Sequence, residues 1–178
     1  MAGYHYTIMK KAIVLLSLKF FILTSSLVLA QEPKFINVYK DWYVFTLKQE
    51  NLNICYLSSV AAKSEGNYTK RGDVLFVVTL RPAEKEFGIV NFRTGYKFKK
   101  NSAAVLTINK KKFSLFTQGS DGWAKDNETD KAITQAMILG AQMVIVGTSS
   151  RGTKTTDTFS LSGFTAAYKA ASKACKNK

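Results

Sequence analysis

A turn rich in glycine and hydroxyl side chains carries the residue types that bind anions. It contains Gly147, Ser149, Ser150, Arg151 and Gly152. In such a turn, backbone N–H groups and a bidentate guanidinium can hold a phosphate or a carboxylate. The alternative is a tight connection between two strands, in which Arg151 pairs with an acidic side chain. We favour this structural interpretation and keep Arg151 as an anion-binding candidate.

The expected partner of Arg151 is Asp157. In residues 153–162, hydroxyl side chains alternate with a second face that carries Phe159 and Leu161. This alternation places Asp157 on the apolar face, where a carboxylate needs an arginine or several N–H donors. We therefore predict a structural ion pair between Arg151 and Asp157.

The serines have no obvious catalytic partner. Ser58, Ser149 and Ser150 are the candidate nucleophiles, but none lies in a G-x-S-x-G elbow. The only histidine is His5, so the rest of the chain lacks the usual general base of neutral-pH catalysis. We predict no enzyme, no catalytic residue, no metal site and no cofactor. A hydrolase that uses a serine–lysine pair is the alternative.

Residues 1–30 have the composition of a secretory signal peptide. Lys10 and Lys11 precede a long apolar run that ends in the small residue Ala30. An uncleaved membrane anchor is the alternative, but Lys19 divides this run into pieces shorter than the roughly 20 residues that span a bilayer. We predict cleavage after Ala30, which leaves residues 31–178 as a single domain, whether translation starts at Met1 or at Met9.

The predicted mature domain is strongly basic. Of 26 basic residues, Lys10, Lys11 and Lys19 lie in the leader, which leaves 23 against 12 acidic residues and a net charge of +11. Six of these charges are Lys97, Lys99, Lys100, Lys110, Lys111 and Lys112. If the segments AAVLTI and KFSLFT pair, Lys110–Lys112 lie in their turn and Lys99 and Lys100 lie near the far end, so the lysines do not form one continuous cluster. A solvated face is the default for such lysines, yet a charge of this size attracts anionic surfaces. We predict an anionic envelope partner, such as lipopolysaccharide phosphates or acidic lipid, and no nucleic acid, because no binding motif is present.

Five aromatic residues offer a different binding chemistry, the stacking of sugar rings. They are Trp42, Tyr43, Tyr68, Tyr96 and Trp123. Packing in the core or over a sheet edge is the favoured interpretation, and we expect Trp42 in the core.

The two cysteines, Cys55 and Cys175, are predicted to form a disulfide. An exported chain with two cysteines most simply joins them. Cys55 shares one face of an extended segment with Leu57, and Cys175 lies on the apolar face of the last helix. No histidine is available to complete a zinc site, and a redox pair would be closer in sequence.

Short strands dominate the predicted elements that position these groups. The patterns indicate strands at residues 41–47 and 52–59, a strand buried on both faces at 73–80, and a hairpin whose turn lies at 109–111. Helical spacing appears only at 127–140, after a cap at Asp126 or Asn127, and at 163–175. We predict an antiparallel β-sandwich with two accessory helices.

Several motifs follow one another along the chain. They are DWYVF and CYLS, GNYTKRGDVLFVVTLRP, GYKFKKNS, LFTQGSDGWAKD, AITQAM and the block GTSSRGTKTTDTFSLSGFTAAYKAASKAC. In their order and spacing, these motifs resemble the invasion-associated locus B family of exported bacterial proteins. The resemblance covers nearly all of residues 31–178. It implies an immunoglobulin-like β-sandwich, export across the inner membrane, and residence in the periplasm or against the outer membrane. Some relatives are linked to invasion of host cells, and the family supplies no catalytic or cofactor residues.

Together these observations predict an exported cell-envelope interaction protein without enzymatic activity. Its partner is expected to be an anionic envelope component or an outer-membrane or host surface, and no transmembrane span is expected once the leader is removed. Periplasm is the predicted location, with outer-membrane association or secretion as further possibilities. A purely structural periplasmic factor that supports outer-membrane integrity is a second alternative to the binding role.

Overall fold

Eleven strands and two α-helices occur in residues 32–49 and 52–176, which are the part of the chain that the computed structural model describes. The strands are β1 (Lys34–Tyr39), β2 (Trp42–Gln49), β3 (Leu52–Val60), β4 (Lys63–Gly66), β5 (Leu75–Arg81), β6 (Glu86–Arg93), β7 (Ala103–Ile108), β8 (Lys111–Gln118), β9 (Asp121–Trp123), β10 (Gln142–Thr148) and β11 (Lys154–Ser160). The helices are α1 (Asn127–Leu139) and α2 (Phe164–Lys176), with a 3-10 turn at Pro82–Glu84. The predicted signal peptide lies outside the described residues.

The strands form one antiparallel sheet with the order β1-β2-β3-β5-β6-β9-β8-β7-β10-β11-β4. The three-residue strand β9 joins its two larger parts, since it pairs with β6 on one side and with β8 on the other. Along β11 the burial alternates, so that Thr155, Asp157 and Phe159 face inward.

The two parts of the sheet pack face to face across an aromatic core. Phe76 of β5 and Phe92 of β6 contact Phe159 of β11 edge-on, with ring centroids 5.9 and 6.1 Å apart. Because β11 is not a neighbour of β5 or β6 in the sheet, these contacts cross between layers. Such contacts characterise a sandwich, so the predicted mainly-β, antiparallel, sandwich-like fold is confirmed.

Helix α2 closes one side of the core and carries the disulfide. Phe164 packs edge-on against Trp42 at 4.8 Å, and Trp42 is fully buried as expected. Cys55 of β3 and Cys175 of α2 are bonded, with Cα atoms 5.9 Å apart and 120 residues between them in sequence. The predicted disulfide is therefore confirmed.

Helix α1 is fixed to β6 by polar contacts. Asp126 caps its N-terminus by accepting a hydrogen bond from the Thr129 N–H, as the sequence predicts. The buried carboxylate of Asp130 accepts a 2.8 Å hydrogen bond from the Val90 N–H of β6. Burial raises the pKa of Asp130, although that hydrogen bond acts in the opposite direction. Neither helix in the described part of the chain is long and apolar enough to cross a membrane.

Two predicted details are wrong. Residues 73–80 were expected to be buried on both faces, but Leu75 and Val77 of β5 are only half-buried. A strand of an antiparallel sandwich packs one face on the core and turns the other towards solvent. The hairpin turn predicted at 109–111 consists of Asn109 and Lys110, which both have positive φ. Lys111 is already part of β8, where it pairs with Ile108.

Candidate functional site

Asp157 forms a buried ion pair with Arg71. Its two carboxylate oxygens each accept a 2.7 Å hydrogen bond from the guanidinium, and the two side chains are 4% and 0% exposed. The predicted pair with Arg151 is therefore wrong in its cation. Asp157 lies opposite Ile145, three positions along β11 from the Lys154–Thr148 pair that flanks the turn. Arg151 lies beyond that pair, at the exposed end of the hairpin, and its guanidinium does not reach the buried carboxylate.

The remaining contacts of Arg71 hold it in a cage. Its Nε donates a 2.6 Å hydrogen bond to the Thr94 carbonyl, and its guanidinium carbon lies 5.5 Å from the ring centre of Tyr68 and 4.8 Å from that of Tyr96. Burial lowers the pKa of this guanidinium, but the hydrogen bonds and charge of Asp157 outweigh it, so that the pKa is raised. Arg71 is therefore always charged, and it ties residues 68–71 to the core.

Two glycines allow this segment to lie directly on the end of β6. The Gly72 N–H donates to the Gly95 carbonyl at 3.1 Å. Gly95 has a φ of +73°, and a Cβ there would collide with the carbonyl of Gly72. A larger residue at position 95 would separate the two segments, so glycine is required by both the backbone and the close approach.

The turn at residues 149–153 uses its own backbone donors. Ser149 N–H donates to the Thr153 carbonyl, Thr153 N–H to Ser149 Oγ, and Gly152 N–H to the Ser149 carbonyl. Ser150 N–H donates to the carbonyl of Lys97 at 2.7 Å. These four N–H groups are engaged within the protein, which agrees with the favoured interpretation of the turn as a tight connection between two strands. The main groups left to bind an anion at this turn are therefore its side chains.

Those side chains line a cavity of about 460 Å³. It lies between three segments: residues 67–71, residues 96–97, and the turn with the start of β11 at 149–155. The cationic side chains in its lining are Lys70, Arg71, Lys97 and Arg151, and residues 32–49 and 52–176 contribute no carboxylate to it. Lys70, Lys97 and Arg151 are exposed and form no ion pair within the described residues. The cavity is therefore a basic pocket with three uncompensated charges.

The lysines fall into two groups separated by the length of a strand, as the predicted pairing of the two hairpin strands requires. Lys99 and Lys100 precede β7, whereas Lys110, Lys111 and Lys112 follow it at the hairpin tip. Six residues of β7 separate the two groups by roughly 20 Å. Of the six lysines, Lys97 alone lines the cavity. An anion-binding role for the other five stays a prediction.

Of the five aromatic candidates, Tyr68 and Tyr96 come together. Their rings flank Arg71, and the Tyr96 hydroxyl lies 2.7 Å from Thr155 Oγ1. Burial raises the pKa of Tyr96. No local sequence pattern indicates this arrangement, because Arg71 and Asp157 are 86 residues apart. The only hint was a carboxylate on an apolar strand face.

The cavity also contains two of the candidate nucleophiles. Ser149 is buried and its Oγ accepts from the Thr153 N–H, while Ser150 is exposed. Within the described residues, no hydrogen bond joins either serine to Lys70 or Lys97. Ser58 lies apart from both, in β3. The same residues contain no group of three or more histidine, cysteine, aspartate or glutamate side chains that could hold a metal ion.

Comparison with known proteins identifies a family to which the chain is similar. The sequence model of the family described as invasion associated locus B (IalB) protein matches residues 42–172. No curated protein and no solved structure matches the chain. The matched range extends from the start of β2 into α2 and includes every segment of the basic cavity.

Proposed function

The chain belongs to the invasion associated locus B family, and we propose that it is an exported binding protein for an anionic component of the cell envelope or of a host surface. The leader-like composition of residues 1–30 supports export, and periplasm or the outer-membrane surface is the proposed location. The proposed role is binding without catalysis.

The observation that carries this proposal is the basic cavity. Three exposed cations line one concave surface, and none of its lining residues within the described part of the chain is acidic. Like charges at close range repel one another, so an arrangement of this kind is most stable when an anion occupies it. The charge of the predicted mature domain, +11, would further increase the local concentration of an anionic partner.

A serine–lysine hydrolase remains the alternative function. Ser149, Ser150, Lys70 and Lys97 share the cavity, which is the one feature in its favour. That function requires a lysine that takes the proton of the serine hydroxyl, and hence a hydrogen bond between the two groups. The described residues contain no such bond, so binding is the better supported role.

Co-sedimentation with lipid vesicles tests the proposal. The purified protein is mixed with vesicles of neutral lipid, of the same lipid with an anionic phospholipid, and of the same lipid with lipopolysaccharide. Binding to one or both anionic preparations, and not to neutral vesicles, is expected. It should weaken strongly between about 0.1 M and 1 M salt, because the Debye length falls from about 10 Å to about 3 Å. Equal binding to neutral vesicles, binding that salt does not change, or no binding at all would refute the proposal.

A further inference from the structure

The lining of the basic cavity has a composition that favours polar ligands. Besides its cations, it contains serine, threonine and tyrosine hydroxyls and the amide of Asn67, and no aliphatic hydrophobic side chain of the described residues lines it. Most sites for apolar small molecules are lined by hydrophobic and aromatic groups. In this lining, an acyl chain could pack only against the two tyrosine rings. The volume of about 460 Å³ lies within the range of sites that hold one small molecule.

Several of these polar groups are left without an internal partner. The Thr155 and Tyr96 hydroxyls bond to each other, and Ser149 Oγ is used by the turn. By contrast, no hydrogen bond within the described residues engages the side chains of Asn67, Thr69, Ser150 or Thr153. Each can both donate and accept. They match a ligand that carries several hydroxyl groups, as a sugar does.

The charges in the cavity favour phosphate over carboxylate. Asp157 compensates Arg71, which leaves Lys70, Lys97 and Arg151. A phosphate monoester carries about −1.5 to −2 charges near neutral pH and has three acceptor oxygens, whereas a carboxylate carries one charge. Three cations around one group therefore fit a phosphate more closely, and the guanidinium of Arg151 can bind it through two parallel hydrogen bonds.

The floor of the cavity is fixed before any ligand arrives. Arg71 is held by Asp157, by the Thr94 carbonyl and by the two tyrosine rings. Tyr68 nevertheless remains 37% exposed, so part of its ring is available to a ligand. The C–H groups of a sugar can pack on that aromatic face. A preformed wall of this kind lowers the entropic cost of binding.

From these observations we infer that the cavity binds a sugar that carries a phosphate group. This inference rests on the proposed function for the anionic nature of the partner and specifies its chemistry. Lys70, Lys97 and Arg151 bind the phosphate, Asn67, Thr69, Ser150 and Thr153 bind the sugar hydroxyls, and Tyr68 packs against the ring. The same group can come from the headgroup of a phosphorylated glycolipid or from a free sugar phosphate.

Isothermal titration calorimetry with a small panel of ligands tests the inference. The panel is glucose 1-phosphate, glucose 6-phosphate and N-acetylglucosamine 1-phosphate, with inorganic phosphate and glucose as partial ligands. At least one sugar phosphate should bind about tenfold or more tightly than either partial ligand, because only it uses both halves of the site. If inorganic phosphate binds as tightly as every sugar phosphate, or if none of the panel binds, the inference is wrong.

Two variants with the same charge change separate the cavity from general electrostatics. The cavity variant carries Lys70→Gln, Lys97→Gln and Arg151→Gln, and the tip variant carries Lys110→Gln, Lys111→Gln and Lys112→Gln. The cavity variant should lose about tenfold or more in affinity for the best sugar phosphate, whereas the tip variant should stay within about twofold. All six side chains are exposed or lie at a hairpin tip, so both variants should fold, which circular dichroism checks. An equal loss in both variants would overturn the inference.

Failure of the sugar-phosphate inference can be distinguished from failure of the proposed function. If anionic vesicles bind the parent and bind the cavity variant more weakly than the tip variant, while the panel does not bind, the inference fails and the proposed function stands. If a sugar phosphate binds in the cavity but no vesicle binds, the inference stands and the envelope function fails. Vesicles with lipopolysaccharide also identify the source of the ligand. If the site binds a glycolipid headgroup, these vesicles should displace the sugar phosphate from the protein. If it binds a free sugar phosphate, they should not displace it.

Discussion

The Asp157→Ala substitution should strongly destabilise the protein, because it breaks the ion pair beneath the cavity. The Arg71 side chain is 4% exposed and that of Asp157 is fully buried. Without the carboxylate, the desolvated guanidinium keeps the Thr94 carbonyl as its hydrogen-bond acceptor. Removing one member of a buried pair typically costs about 3–5 kcal/mol, which for a domain of this size lowers the Tm by roughly 6–20 °C.

The assay is urea unfolding followed by tryptophan fluorescence, since Trp42 is buried in the core. A matched control is Arg151→Ala, which removes an exposed guanidinium from the same cavity and should change stability by about 0.5 kcal/mol or less. A double-mutant cycle then uses Arg71→Ala, Asp157→Ala and both together. The double variant should lose less free energy of unfolding than the two single variants together, because it contains no unpaired buried charge.

Two results would refute this reasoning. One is an Asp157→Ala variant as stable as the parent, which would mean that the carboxylate is not buried with a cation. The other is coupling of Asp157 to Arg151 in place of Arg71, which would restore the pair predicted from the sequence and require a different position for the turn.

Three further predictions concern the elements around the cavity. Cys175→Ser should lower stability by about 4–5 kcal/mol in the chain-entropy view of a loop this long, and a denaturation midpoint unchanged from that of the oxidised parent would contradict the bond to Cys55. Asp130→Asn should gain stability relative to the parent as pH rises from about 4 to about 8. Burial raises the pKa of the Asp130 carboxyl above its ordinary value, so the stability that this group contributes in acid is lost as pH rises through the raised pKa. The same difference in urea midpoint between variant and parent at both pH values would contradict this prediction. Gly147→Ala places a Cβ within 2.8 Å of the Tyr96 hydroxyl, so calorimetry should show weaker binding of the best sugar phosphate, and unchanged affinity would show that Tyr96 does not shape the site.

Local patterns were sufficient to predict most of the sandwich. The alternation in β11 places Asp157 inward, and 3.6-residue spacing after Asp126 identifies α1. The disulfide follows from the number of cysteines together with the predicted export. In each case the signal lies within one element or in the composition, so no knowledge of the tertiary arrangement is needed.

The cavity could not be predicted in this way, because three distant segments form it. The strand alternation identifies Asp157 as a buried acid that needs a cation. The prediction of Arg151 as that cation relied only on its closeness to Asp157 in sequence. The structure supplies Arg71 from a loop 86 residues earlier, through packing of one layer against the other. The separation of the lysines, by contrast, follows from the strand pattern, because pairing of β7 with β8 puts Lys110 at the turn and Lys100 near the far end.

NMR titration of the isotope-labelled protein with the best-binding sugar phosphate tests most directly where the anionic group is held. Binding in the cavity predicts saturable shifts of the amide signals of residues 67–71, 96–97 and 149–155, with those of the hairpin tip at 109–112 unchanged. Shifts centred on the tip, or small unsaturable shifts spread over the basic surface, would contradict a site in the cavity.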